Sequence, residues 1–112
     1  MPKNDYFKIV YMILTVLYKY KKDNKILDLN EIAPETLKID EAYRNEILED
    51  LLDAGYIKGF KIKNYICGKV LDNLENIKIT MQGIEYLQDN SKMKKVGEIL
   101  KEVKDWVAFI KP

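Results

Sequence analysis

The chain has 112 residues, 19 of them basic and 18 acidic, for a formal net charge of +1. Hydrophobic residues make up 47% and charged residues 33%, the balance of one folded, water-facing domain; a globally basic nucleic-acid binder and an acidic disordered tail are both excluded. With no histidine and a single cysteine, the chain holds no Ser-His-Asp or Cys-His nucleophile pair, no imidazole metal ligand, no structural zinc site and no internal disulfide.

The opening residues MPKNDYF carry no apolar stretch behind a basic one, so they do not read as a signal peptide. Asp5 is placed to cap a helix that runs to about Tyr20. Phe7, Val10, Leu14, Leu17 and Tyr18 form one apolar stripe on it; Ile9, Ile13, Val16 and Tyr20 form a second. A helix apolar on two faces belongs at the centre of a core or in a subunit interface. Its apolar run, broken at Thr15, is well short of the roughly 20 residues that cross a membrane, and a cytoplasmic location is the expectation. Lys19, Lys21 and Lys22 complement the negative end of the helix dipole.

Residues 25–30 (KILDLN) are short and apolar-rich, as a small strand would be. Asn30 then caps a short helix from Ala33 to Leu37, with Pro34 in its first turn. Asp40 opens the next helix, whose buried face is Tyr43, Ile47, Leu48, Leu51 and Leu52, and Gly55 closes it. Residues 56–63 (YIKGFKIK) read as a strand with Tyr56, Lys58, Phe60 and Ile62 on one side and Ile57 and Lys61 on the other. A loop follows over 64–75, with a short strand at Tyr65 to Cys67, and 76–80 is the returning strand. Thr80 caps a helix over Met81 to Gln88, in which Gly83 permits close approach of a neighbour. After a break at Asn90-Ser91, a last helix runs to about Ile110.

This order predicts an α+β domain, a winged helix-turn-helix: a three-helix core and a small antiparallel sheet whose hairpin is the wing. It spans 1–112 as a single domain, with 91–110 as an appended helix. Its core joins Phe7, Val10, Leu14, Leu48, Leu51, Leu52, Ile57 and Tyr86. The appended helix carries Met93, Val96, Leu100, Val103, Val107 and Ile110 at heptad spacing, widened by Ile99 and Trp106. Packing of this seam on helix 1 of the same chain, giving a monomer, is the expectation; a homodimer through the two helices is the alternative.

Three segments resemble one family: DYFKIVYMIL at the start, Tyr43 through AGYIKG (Ala54 to Gly59), and KITMQGIEYLQDNSKMKK near the end. On these the chain is similar to the YjcQ family of small proteins. The resemblance implies a winged-helix-like α+β domain of low-GC Gram-positive bacteria and their phages, and it transfers no catalytic residues. The composition agrees on source: 18 lysines against Arg44 alone, with 14 isoleucines and 8 asparagines, fit AT-rich bacterial or phage codons.

The helix over 40–54 is the one a winged helix would lay in the major groove. Yet it bears Asp40, Glu41, Glu46, Glu49, Asp50 and Asp53 against Arg44, a charge that phosphates repel. Glu41, Glu46, Glu49, Asp50 and Asp53 instead form a candidate docking face for a protein partner, or a solvated face. The candidate nucleic-acid contacts are Lys58, Lys61, Lys63 and Lys69 in the wing, interleaved with Phe60 and Tyr65, and Lys21 and Lys22 at the end of helix 1. Alternating lysines also protect a small sheet edge from aggregation. Cys67 reads as a small, partly buried apolar residue. The Glu49–Asp53 pair has no site around it, so no catalytic residue, metal or cofactor is expected. Two functions remain: a non-catalytic module that binds a protein partner, and a weakly sequence-specific DNA-binding regulator using the wing and the end of helix 1.

Overall fold

The structure, a computed structural model, describes residues 5–101. Its first helix, α1 (Asp5–Asp23), lies at the centre of the molecule. Ile9, Val10, Ile13, Leu14, Val16 and Leu17 are all buried, so both expected stripes are covered. Asn24, at a φ of 53°, closes α1: its amide donates to Lys21 and that of Lys25 donates to Tyr20, satisfying two terminal carbonyls.

Residues 25–30 do not form the expected strand. Asp28 instead accepts a hydrogen bond from the Asn30 amide (3.0 Å), which starts a 3-10 turn, Leu29–Ile32. Asp28, not Asn30, is therefore the cap here. Helix α2 (Pro34–Leu37) follows with Ala33 at its cap and Pro34 in the first position. Helix α3 (Glu41–Asp53) buries Ile47, Leu48 and Leu51, with Tyr43 and Leu52 half-buried. Gly55, at a φ of 81°, ends it in the same way that Asn24 ends α1.

The expected strand over 56–63 is broken in two. Strand β1 (Ile57–Lys58) stops at Gly59, whose φ of 101° turns the chain and sends Phe60 into the core. Ile57 and Phe60 are thus both buried, so the strand's sides are not those that simple alternation assigns. Strand β2 (Lys61–Tyr65) then pairs antiparallel with β3 (Gly68–Asp72) in the register Ile62↔Leu71, Asn64↔Lys69 and Tyr65↔Gly68. Ile66 and Cys67 are left as a two-residue turn, and most of the expected loop is a hairpin. After a 3-10 turn at Leu74–Asn76, β4 (Lys78–Ile79) returns to pair with β1.

Helix α4 (Met81–Asp89) is capped as expected: Thr80 Oγ1 accepts from the Gly83 amide (3.0 Å). Gly83 lies against the Tyr56 carbonyl, where a Cβ would sit 2.2 Å from the oxygen. Tyr86 is half-buried and stacks on Tyr56, with ring centroids 4.4 Å apart. Asn90 caps α5 (Ser91–Leu100), which buries Met93 in the core and Val96 and Leu100 against Phe7, Tyr11 and Met12 of α1. This part of the seam packs within the chain; Val103, Trp106, Val107 and Ile110 lie outside the described residues. Phe7, Leu52 and Tyr86 flank the core, while Val10, Leu14, Leu48, Leu51 and Ile57 are inside it. The whole is α+β, with five α-helices and two small antiparallel sheets among the described residues, an order compatible with a winged helix.

Candidate interaction surfaces

The register of the β2–β3 hairpin sorts its side chains. Ile62 and Leu71 are half-buried and share one face, so Asn64 and Lys69, two positions on, share it too. That face looks toward α3, and Lys69 Nζ donates to Glu46 (3.0 Å) and to Glu49. These hydrogen bonds hold the Lys69 ammonium above its ordinary pKa. Lys61, Lys63, Tyr65 and Val70 lie on the other face. Lys63 pairs with Asp72 at 3.3 Å. Tyr65 and Val70 are 54% and 47% exposed, and Ile66 at the turn is fully exposed. Cys67 is exposed rather than partly buried, because a two-residue turn leaves no neighbour to cover it.

The acidic residues of α3 do not form one free patch. Glu46 and Glu49 hold Lys69, and Asp50 accepts a 2.6 Å hydrogen bond from the Tyr6 hydroxyl. Burial first, then Asp50, raises the Tyr6 pKa well above its usual value. Glu41 and Asp53 are exposed. Arg44 is turned inward: its Nη1 donates to the Ile32 carbonyl (3.2 Å) and its Nε to Asn45 Oδ1 (3.1 Å). Half-burial lowers its pKa, although it remains a cation. The one guanidinium on this helix thus fastens α3 to the 3-10 turn.

Of the other candidate cations, Lys21 Nζ donates to the Ile79 carbonyl (3.3 Å) and Lys22 sits 4.8 Å above the Tyr18 ring. Lys58 and Lys61 make no ion pair with a described residue. Lys58 is directly opposite Lys78 in the β1–β4 pair, so two ammoniums face each other on the solvent side. Among the described residues no three metal-ligating side chains come together, and no helix is long and apolar enough to cross a membrane.

The model of the family described as YjcQ protein matches residues 11–106. The chain belongs to the YjcQ family. The match begins inside the central helix, at Tyr11, and takes in the whole hairpin and the KITMQG segment on which part of the sequence resemblance rests. No curated protein and no solved structure matches the chain.

The contacts that bind the hairpin to α3 were missed in the sequence. Lys69 lies 20 and 23 residues from its partners, and its direction is fixed only once β3 exists and its register is known. The signal available was Leu71: an apolar residue two positions from Lys69 puts both on the inward face.

Proposed function

We propose that this YjcQ-family domain, of bacterial or phage origin, is a non-catalytic interaction module that acts in the cytoplasm and binds a protein partner. The observation that carries the reading is the closure of the face a winged helix would present to DNA. Lys69 occupies Glu46 and Glu49, and Arg44 is spent on the Ile32 carbonyl. What remains outward on α3 is acidic, and each carboxylate near a phosphate opposes the counterion release that drives DNA binding. Meanwhile Tyr65, Ile66 and Val70 stand exposed together on the hairpin, a small apolar surface of the kind that partners cover.

A second reading, DNA contact through the wing and the end of α1, rests on Lys58, Lys61 and Lys78, which are exposed and make no ion pair with a described residue. Such contacts would be to phosphates and would carry no sequence information. Affinity capture on the tagged domain, with and without nuclease, separates the two. A stoichiometric protein that survives nuclease supports the module; nucleic acid as the only retained species overturns it.

A further inference from the structure

The β2–β3 hairpin is a sheet of two strands, so each strand has one side bonded and one side open. The two-residue turn makes its closing pair, Tyr65↔Gly68, hydrogen-bonded. Antiparallel alternation then bonds Lys63↔Val70 and Lys61↔Asp72 as well. In the pairs between them, Ile62↔Leu71 and Asn64↔Lys69, the amides and carbonyls point away from the partner strand. Ile62 and Asn64 thus form the outer edge of β2, and neither has a backbone hydrogen bond beyond the hairpin with a described residue. The edge is reachable, since every residue of β2 is exposed except Ile62, which is half-buried.

The outward face beside this edge changes character along its length. At the tip stand the exposed Tyr65 and Val70, with Ile66 at the turn. At the foot stands Lys61, and the chain just before it brings in Lys58, directly opposite Lys78. The Cα atoms of Lys58 and Lys61 are within about 11 Å, the reach of the chain that joins them. None of these three lysines has an ion pair with a described residue, whereas Lys63 is held by Asp72 and Lys69 by Glu46 and Glu49. Lysines along a strand edge discourage self-association. Full overlap with the β2 of a second copy would set the two Lys63 side chains directly opposite each other. An acidic strand meets no such repulsion.

We infer that the outer edge of β2 is a strand-addition site for an extended segment of the protein partner, apolar in its first half and acidic in its second, an inference that rests on the module reading above. The segment runs antiparallel to β2, from tip to foot, and makes the hairpin a three-stranded sheet. Its main chain takes the amides and carbonyls that Ile62 and Asn64 leave free. Its apolar side chains pack beside Tyr65 and Val70, and its carboxylates meet Lys61, Lys58 and Lys78. The main-chain bonds would hold any extended peptide. The order of apolar and acidic residues selects this one.

The test uses the whole chain, labelled with 15N, and an octapeptide as the probe, with valine and threonine alternating in its first half and glutamate and threonine in its second. The Ile62 and Asn64 amides are expected to shift and to gain protection from hydrogen exchange, while the Lys69 and Leu71 amides on the opposite edge gain none. The affinity should fall at least about tenfold in the Lys58→Glu, Lys61→Glu double variant, and also when the peptide amides that face β2 are N-methylated. Both lysines are exposed, so the variant keeps its fold. The inference is overturned by the absence of shifts up to millimolar peptide, by equal affinity for a peptide with lysine in place of glutamate, or by indifference to N-methylation. Protection of Lys69 and Leu71 instead would move the site to β3 and overturn the assignment to β2. Protection of Ile62 and Asn64 on concentrating the protein alone would assign the edge to a second copy and also overturn the inference. A captured partner that binds the double variant as well as the parent overturns the β2 site while leaving the module reading intact. A tightly bound selected duplex in place of any protein would overturn the module reading itself.

Discussion

Replacing Gly83 with alanine probes the joint that holds the sheet to α4. The new Cβ would sit 2.2 Å from the Tyr56 carbonyl oxygen and 2.7 Å from Ile79 Cγ1, both inside the 3.0 Å that real Cβ atoms essentially never breach. Backbone must therefore move by about 0.8 Å or more. The Tyr56 carbonyl cannot retreat freely, because it accepts the Thr80 amide and its ring stacks on Tyr86. Forced overpacking costs about 1–3 kcal/mol. Straining the Tyr56–Thr80 hydrogen bond adds about 1 kcal/mol. Against this, alanine in a helix interior recovers about 0.5–1 kcal/mol relative to glycine. The net expectation is a loss of about 1–3 kcal/mol, or roughly 5–20 °C in Tm for a domain of this size. Urea denaturation should show a lower midpoint at unchanged slope. Gly97→Ala is the milder comparison: its Cβ would sit 2.8 Å from the Tyr11 hydroxyl and 3.0 Å from two of its ring carbons, a side chain rather than backbone, so the loss should be smaller than at Gly83. A Gly83→Ala protein as stable as the parent would refute the close-approach reasoning.

Leu48→Ala, at a fully buried position, should cost about 2–5 kcal/mol by thermal or chemical denaturation, whereas a near-neutral result would contradict the burial of α3. Lys69→Gln should release the hairpin from α3, read as faster proteolysis or hydrogen exchange across 61–72, and raising salt should do the same to the parent; a hairpin indifferent to both would show that the ion pairs do not hold it. The Tyr6 pKa is raised by burial and Asp50, so its contribution is complete below the ordinary tyrosine value near 10 and is lost as pH climbs above it. Tyr6→Phe should therefore flatten the fall of stability above about pH 10, and an identical alkaline profile would remove Tyr6 from that account.

How much the sequence discloses follows from the range of the forces involved. The faces of α1 and α3 are written in apolar spacing, and the Thr80 cap and the Gly83 contact are written in single residues with few alternatives. The segment 25–30 misleads because its pattern suits a strand while Asp28 has a local amide to accept from, and a hydrogen bond two residues away wins over an edge pairing 50 residues distant. Gly59 marks a break that periodicity alone passes over, since glycine at positive φ and a buried Phe60 both follow from the turn. Lys69 is the clearest loss. As a residue in a count of wing charges it favours phosphate binding; with β3 in register it becomes a partner of α3. Arg44 changes meaning in the same way, from the lone cation of an acidic helix to a tie on the Ile32 carbonyl.

The central claim, that this domain binds a protein and does not read DNA through α3, is tested most directly by selecting duplexes from a random pool on the whole chain. The affinity of the selected sequence is then measured against a scrambled one over a range of salt. The account predicts weak binding that falls steeply with salt, does not distinguish the two duplexes, and strengthens in the Glu41→Lys, Asp53→Lys double variant, which reverses two exposed carboxylates of α3. A selected duplex held at nanomolar affinity at physiological salt, with the scrambled one rejected, would contradict it.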